Sequence, residues 1–216
     1  MTRLKRMTIE WAPEKKVHRF ITAPRSGHKM TESLPLLMVV RDVLELAENA
    51  RESRKIIKGR LVKVDGSIVT DIKRGVGAFD VIEIGGKHYR VLPKKKIELV
   101  NAKNPDTKVV KIVGKKKIRG GKIQLNMSDG RNILIEDSKH EVLDSLVIEL
   151  PSQKIKQHIP FEPGTTVFIT HGQHRGKTAK LEIIERDKNR VWISSGGKRF
   201  EAPLHAVTAI GKEQLE

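Results

Sequence analysis

Turn-forming pairs recur along this chain between short alternating apolar stretches, and they restrict its fold more than any other feature. In "RLVKVDGSIVTD" the alternation breaks at Asp65-Gly66 and then resumes. That dipeptide favours the primed two-residue turn, whose backbone twist matches the strands on either side. "FDVIEIGGKHYRVLP" repeats the pattern around Gly85-Gly86. Further breaks fall at Asn104-Pro105-Asp106, Gly120-Gly121, Asp129-Gly130, Asp187–Asn189 and Gly196-Gly197. Short strands at regular spacing with turn residues between them predict small β-domains joined by hairpins.

Helical periodicity is confined to one region. "TESLPLLMVVRDVLELAEN" places Leu36, Leu37, Val40, Val43, Leu44 and Ala47 on one helical face, with Pro35 near the start, where its missing donor costs nothing. A second, shorter helix follows in "NARESRKIIKG". Asn49 is its N-cap, Glu52 completes a capping-box-like pair, and Gly59 is a natural residue just past its end. Ala50, Ser53, Ile56 and Ile57 form its inner side. Arg51, Arg54, Lys55 and Lys58 fall on another face at i, i+3, i+4, i+7. An ordinary solvated face mixes signs. Here the one acid, Glu52, is committed to the cap, which favours a face turned to a polyanion.

The charge balance agrees. The 216 residues include 43 Lys and Arg against 26 Asp and Glu, a formal net charge of +17. Neutralising phosphates releases condensed counterions, so such an excess suits a nucleic-acid partner. An anionic membrane would call for a basic amphipathic helix or a lipid anchor, and neither is apparent. The longest apolar run, "LPLLMVV", is too short to span a bilayer, and the N-terminus lacks the apolar core of a signal peptide. There is no cysteine, hence no disulfide and no thiolate metal site.

Residues 1–34 read as a basic extended arm that orders on a partner. Its candidate contacts are Arg3, Lys5, Arg6, Lys15, Lys16, His18, Arg25 and Lys29, with Trp11, Phe20 and His28 available to stack on unpaired bases. Core packing is the competing reading for Phe20. After the second helix, Arg60 and Lys63 extend the cationic candidates. "GKKKIRGG" is open between phosphate contact and a solvated loop.

"HGQHRGKTAK", residues 171–180, has the look of a phosphate-binding P-loop. The spacing argues against it. Only three residues separate Gly172 from Gly176, where four are needed, and "TTVFIT" and "KLEIIE" on either side are both strand-like. The segment reads as a hairpin turn whose glycines take positive φ and whose His174, Arg175, Lys177 and Lys180 are candidates for nucleic-acid contact. His171 and His174 lack further ligands nearby, so no zinc site is expected.

"ENARESRKIIKGRLVKVDGSIVTD…FDVIEI" resembles the small RNA-binding module named from ribosomal protein S-four, with Gly59, Val64, Asp65, Gly66 and Asp80-Val81-Ile82 at the family positions. "VFITHGQHRGKTAKLEII" resembles a KOW motif, an SH3-like barrel element; Gly172 and Gly176 match, and Ala179 stands where a further glycine is usual. The colinear order of "TAPRSGHKMTESLPLLMVVRD", "VKVDGSIVTD", "ITHGQHRGK" and "LHAVTAIGK" is similar to the archaeal–eukaryotic small-subunit ribosomal protein family S-four-e (S4e).

The resulting expectation is an α+β, multidomain chain: arm (1–34), two-helix and hairpin RNA-binding module (35–92), β-rich central domain (93–159) and C-terminal SH3-like β-barrel (160–216). The resemblance implies a structural constituent of the small ribosomal subunit, in the cytoplasm, with small-subunit rRNA and neighbouring ribosomal proteins as partners. No membrane, small-molecule substrate, cofactor, metal or homo-oligomer is expected. An RNA-modifying enzyme would need a catalytic domain, for which no stretch is long enough, and no nucleophile or metalloprotease motif appears. A transcription elongation factor would not need the arm or the two-helix module.

Overall fold

The computed structural model describes residues 2–3, 20–25, 27–136 and 139–211. Two compact units divide between Lys108 and Val109. Strands dominate both; among the described residues the α-helices lie in the first, and the second has one 3-10 turn at Leu204–Ala206.

In the first unit, β1 (Thr2–Arg3) pairs with β2 (Phe20–Ile21), and β3 (Ser33–Pro35) pairs antiparallel with β6 (Gly75–Gly77). The main sheet has the order β5-β4-β7-β8-β9, from β4 (Val62–Val64), β5 (Ser67–Ile68), β7 (Val81–Ile84), β8 (Lys87–Pro93) and β9 (Ile97–Asn101). Its two tight hairpins turn as the sequence requires. Asp65 and Gly66 have φ of 51° and 74°, and Gly85 and Gly86 have 58° and 75°. Helices α1 (Leu36–Met38) and α2 (Ala50–Lys58) close the core with Leu34, Leu37, Val40, Ile57, Val62 and Ile82.

Several expectations are corrected here. The first helix stops at Val43 through one wide turn, in which the Leu44 N–H donates to the Val39 carbonyl, and Glu45 takes φ 53°. Leu36 to Val40 are all buried, so this segment has no solvent face to sustain a longer amphipathic helix. Ala47 reaches the core from outside any helix. Gly59 has φ −70°; the left-handed position is Arg60, at 61°. A Cβ on Gly59 would come within 3.0 Å of the Lys55 carbonyl oxygen, so close backbone approach explains the glycine. The last part of the expected arm is not extended away from the module. Ile21 belongs to the core, the Arg25 N–H donates to the Lys73 carbonyl, and Leu34 is 2 % exposed. The expected boundary after residue 92 falls inside the main sheet, because β9 pairs with β8.

The second unit holds two five-stranded sheets. One has the order β12-β11-β10-β13-β14, from β10 (Thr107–Lys117), β11 (Ile123–Met127), β12 (Asn132–Ile135), β13 (Ser145–Glu149) and β14 (Ile155–Ile159). The other has the order β18-β17-β16-β15-β19, from β15 (Thr166–Ile169), β16 (Thr178–Glu185), β17 (Arg190–Ser195), β18 (Lys198–Pro203) and β19 (Val207–Ala209). Val167, Ile169, Leu181, Val191, Ile193 and Val207 alternate inward and are at most 1 % exposed. Lys111 of β10 is also buried, and its Nζ donates to the carbonyls of Leu204 and Val207.

Candidate nucleic-acid interface

Helix α2 presents the clearest cationic surface. The Asn49 side chain accepts from the N–H groups of Arg51 and Glu52, which fixes the first turn. Glu52 is engaged at the same end, but one residue further out than a standard capping box: it accepts from the Glu48 N–H and from the Asn49 amide. Ser53 and Ile57 are buried. That orientation leaves Arg51, Arg54, Lys55 and Lys58 exposed together, and among the described residues none of the four has an acidic partner. Arg60 is exposed beyond them. Lys63 is drawn into β4–β7 pairing, with its Nζ 2.9 and 3.1 Å from the two carboxylate oxygens of Glu83.

The remaining candidates divide. Lys5, Arg6, Trp11, Lys15, Lys16 and His18 lie outside the described residues, and Arg3 is described only as backbone in β1. Arg25 and Lys29 are exposed, Lys29 at 3.5 Å from Glu32. His28 is not available to stack on a base. Its side chain is 5 % exposed and its Nε2 lies 2.8 Å from Asp80 Oδ1.

His28 belongs to a buried polar cluster that sequence reasoning missed. Lys108 is 1 % exposed, and its Nζ donates to Asp65 Oδ2 at 3.0 Å and to Asp80 Oδ1. The other Asp65 oxygen accepts from the Val81 N–H, and Asp80 Oδ2 accepts from the Gly77 N–H. Both carboxylates are thus satisfied by charge and by backbone donors. Burial alone would push the Asp80 pKa up, but the charges and hydrogen bonds of His28 and Lys108 outweigh it and hold the carboxyl well below the usual range. Gly77 is part of the design, because a Cβ there would overlap the His28 ring. The cluster ties the V-D-G turn, the start of β7 and the chain after β2 into one piece. The signals available in the sequence were two aspartates at motif positions and a lysine, Lys108, opening the largely apolar run "KVVKIV".

The 171–180 loop is a hairpin. Phe168 pairs with Thr178, the Gly176 N–H donates to the Ile169 carbonyl, and Gly172 and Gly176 both have φ 86°. A strand follows, so no helix N-terminus is present to receive a phosphate. Lys177 and Lys180 are exposed, Arg175 is half-buried, and the His174 ring packs 4.2 Å from that of Phe200. Millimolar ATP or GTP with magnesium should leave the thermal midpoint of the chain unchanged. A ligand-dependent rise would restore the nucleotide reading of this loop.

No helix among the described residues is long and apolar enough to cross a membrane. Nor do those residues contain a group of three or more His, Cys, Asp or Glu arranged to hold a metal ion.

Comparison with known proteins places this architecture. The S4 domain model matches residues 34–82, which hold α1, α2 and the first hairpin, and the model described as Ribosomal family S4e matches residues 85–155. Small ribosomal subunit protein eS4 of Methanocaldococcus jannaschii is 46% identical over 98% of this chain and 94% of its own length. The eS4 protein of Korarchaeum cryptofilum is 40% identical over 90% of this chain and 86% of its own. The crystal structure of 30S ribosomal protein S4e from Thermoplasma acidophilum superposes with a TM-score of 0.74 at 34% identity, covering 83% of this chain and 95% of that one. The chain therefore belongs to the ribosomal protein family S4e.

Proposed function

We propose that this chain is a structural constituent of the small ribosomal subunit, and that it acts by binding small-subunit rRNA rather than by catalysis. The observation that carries the rRNA contact is the face of α2, where four exposed cations stand on a capped helix without acidic partners among the described residues. Cations so placed bind phosphate oxygens and set the orientation of the protein on the RNA, with little base readout. Folded rRNA would then be selected by its shape and 2′-hydroxyls.

The finer division of labour follows from the same reading. The β15–β19 sheet is the SH3-like KOW element, and Lys177 and Lys180 on its loop supply a second phosphate contact. The basic N-terminal segment supplies a third, and neighbouring ribosomal proteins complete the environment. The place of action is the ribosome in the cytoplasm.

The test is co-sedimentation followed by crosslinking. Tagged full-length chain should travel with small subunits in a gradient, and ultraviolet crosslinks from peptides containing α2 should map to small-subunit rRNA. A chain that stays at the top of the gradient, or crosslinks only to other RNAs, would overturn the reading.

A further inference from the structure

The β10–β11–β12 ribbon carries a second basic surface with a different chemical character from α2. Register places Lys116 beside Gln124 and Leu134, and Gly114 beside Asn126 and Asn132. These residues share one face. The alternate residues Leu125 and Met127 are buried, so the shared face is the outer one. At the end of the ribbon, Gly120 and Gly121 turn the chain at φ 85° and 76°, in open space. Lys117, Arg119 and Lys122 surround that turn.

Three features make this more than a solvated loop. Lys116, Lys117, Arg119 and Lys122 are all exposed, and among the described residues none is ion-paired. Among the described residues the one acid next to them is Glu136, just beyond Ile135 of β12. The cations therefore lead into an uncharged face, on which the amides of Gln124, Asn126 and Asn132 surround the exposed Leu134. The Gln124 amide donates to Asn126 Oδ1 at 2.8 Å, which orients the pair and leaves the Gln124 carbonyl and the Asn126 amino group for another partner. Gly114 keeps the middle of the face low; a Cβ there would press within 3.3 Å of the Asn126 amide nitrogen.

We infer that this face is a binding site for double-helical RNA, with the tip cations on phosphates and the amides of Gln124, Asn126 and Asn132 on 2′-hydroxyls of the minor groove. The inference rests on the reading of the chain as an rRNA-binding protein. The A-form minor groove is wide and shallow and displays 2′-hydroxyls that both donate and accept. The amides of this face match those groups, whereas a purely cationic one would not tell RNA from DNA. Amides in both donor and acceptor roles suit recognition by shape, without sequence preference.

The experiment uses the full chain and two probes: a mixed-sequence RNA duplex of ~20 base pairs, enough to present successive minor grooves, and the DNA duplex of the same sequence. Binding is measured against salt. The tip variant carries Lys116→Gln, Lys117→Gln, Arg119→Gln and Lys122→Gln; the amide variant carries Gln124→Ala and Asn132→Ala. Wild-type protein should prefer RNA. The tip variant should bind at least ~10-fold more weakly at ~0.1 M salt, with a salt slope lower by two units or more. The amide variant should keep the slope and lose the RNA preference. A tip variant that binds like wild type would overturn the inference. So would a wild-type protein that binds both duplexes equally, since that is general polyanion attraction. A parallel variant of the α2 cations separates the two readings. If that variant alone loses rRNA, the ribosomal function stands and the ribbon site falls. If wild-type chain binds neither duplex and does not travel with small subunits, both fall.

Discussion

Asp80→Ala is expected to lower the stability of the first unit by about 3–5 kcal/mol, because it removes one partner from a buried ion pair and strands the others. Lys108 would lose one of its two carboxylate hydrogen bonds and lean on Asp65, His28 would lose its acceptor, and the Gly77 N–H would lose Asp80 Oδ2. Thermal denaturation should show a fall of more than ~10 °C. Combining Asp80→Ala with Lys108→Met should cost clearly less than the sum of the two single changes, since the second change removes the charge that the first leaves exposed to an apolar interior. Gly77→Ala tests the cluster by shape alone. Its added methyl displaces the His28 ring, at an expected cost of about 1–3 kcal/mol. If all three variants melt with wild type, the cluster is incidental.

The cluster also fixes the sign of a pH dependence. Asp80 has a lowered pKa in the folded protein, so at acid pH the unfolded chain binds more protons there than the folded one. Its contribution is fully present above the ordinary carboxylate range and is lost as pH falls below about 4, toward the folded value. Asp80→Asn should flatten the acid limb of the stability curve and leave the limb above neutrality alone.

What could be read from the sequence was local chemistry. Asp65-Gly66 and Gly85-Gly86 dictate their turns because few other pairs accept positive φ at both positions, and Asn49 dictates a helix start because its side chain replaces missing backbone partners. What could not be read was long-range. Lys108, Lys111, Lys116 and Lys117 lie on one strand and are the same residue type, yet the first two are buried and the last two are exposed. Only the fold decides this, by bringing Asp65 and Asp80 to Lys108, and the carbonyls of Leu204 and Val207 to Lys111. His28 misleads for the same reason: in one dimension it sits in a basic segment, and in three it faces a carboxylate 52 positions away. The cationic face of α2 was legible because it depends only on the helical repeat and on which side Ser53 and Ile57 bury.

Replacing Arg51, Arg54, Lys55 and Lys58 together by Gln is expected to weaken binding to small-subunit rRNA and to flatten its dependence on salt. Each phosphate contact contributes roughly 0.7 to 0.9 to the slope of log affinity against log salt, so four lost contacts should lower the slope by about 3. The measurement is a salt series on both proteins with the same RNA fragment, because affinity at one salt concentration would not separate charge from shape. Folding should be little affected. The four side chains are exposed, exposed charges contribute little to stability, and Gln is close to Lys and Arg in helix propensity. The Asn49 cap and the buried Ser53 and Ile57 remain in place. A variant that melts with wild type but binds rRNA with a reduced slope would assign phosphate contact to this face. If the slope stays unchanged, the four cations are solvated, and the contact with RNA must be made by other basic surfaces of the chain.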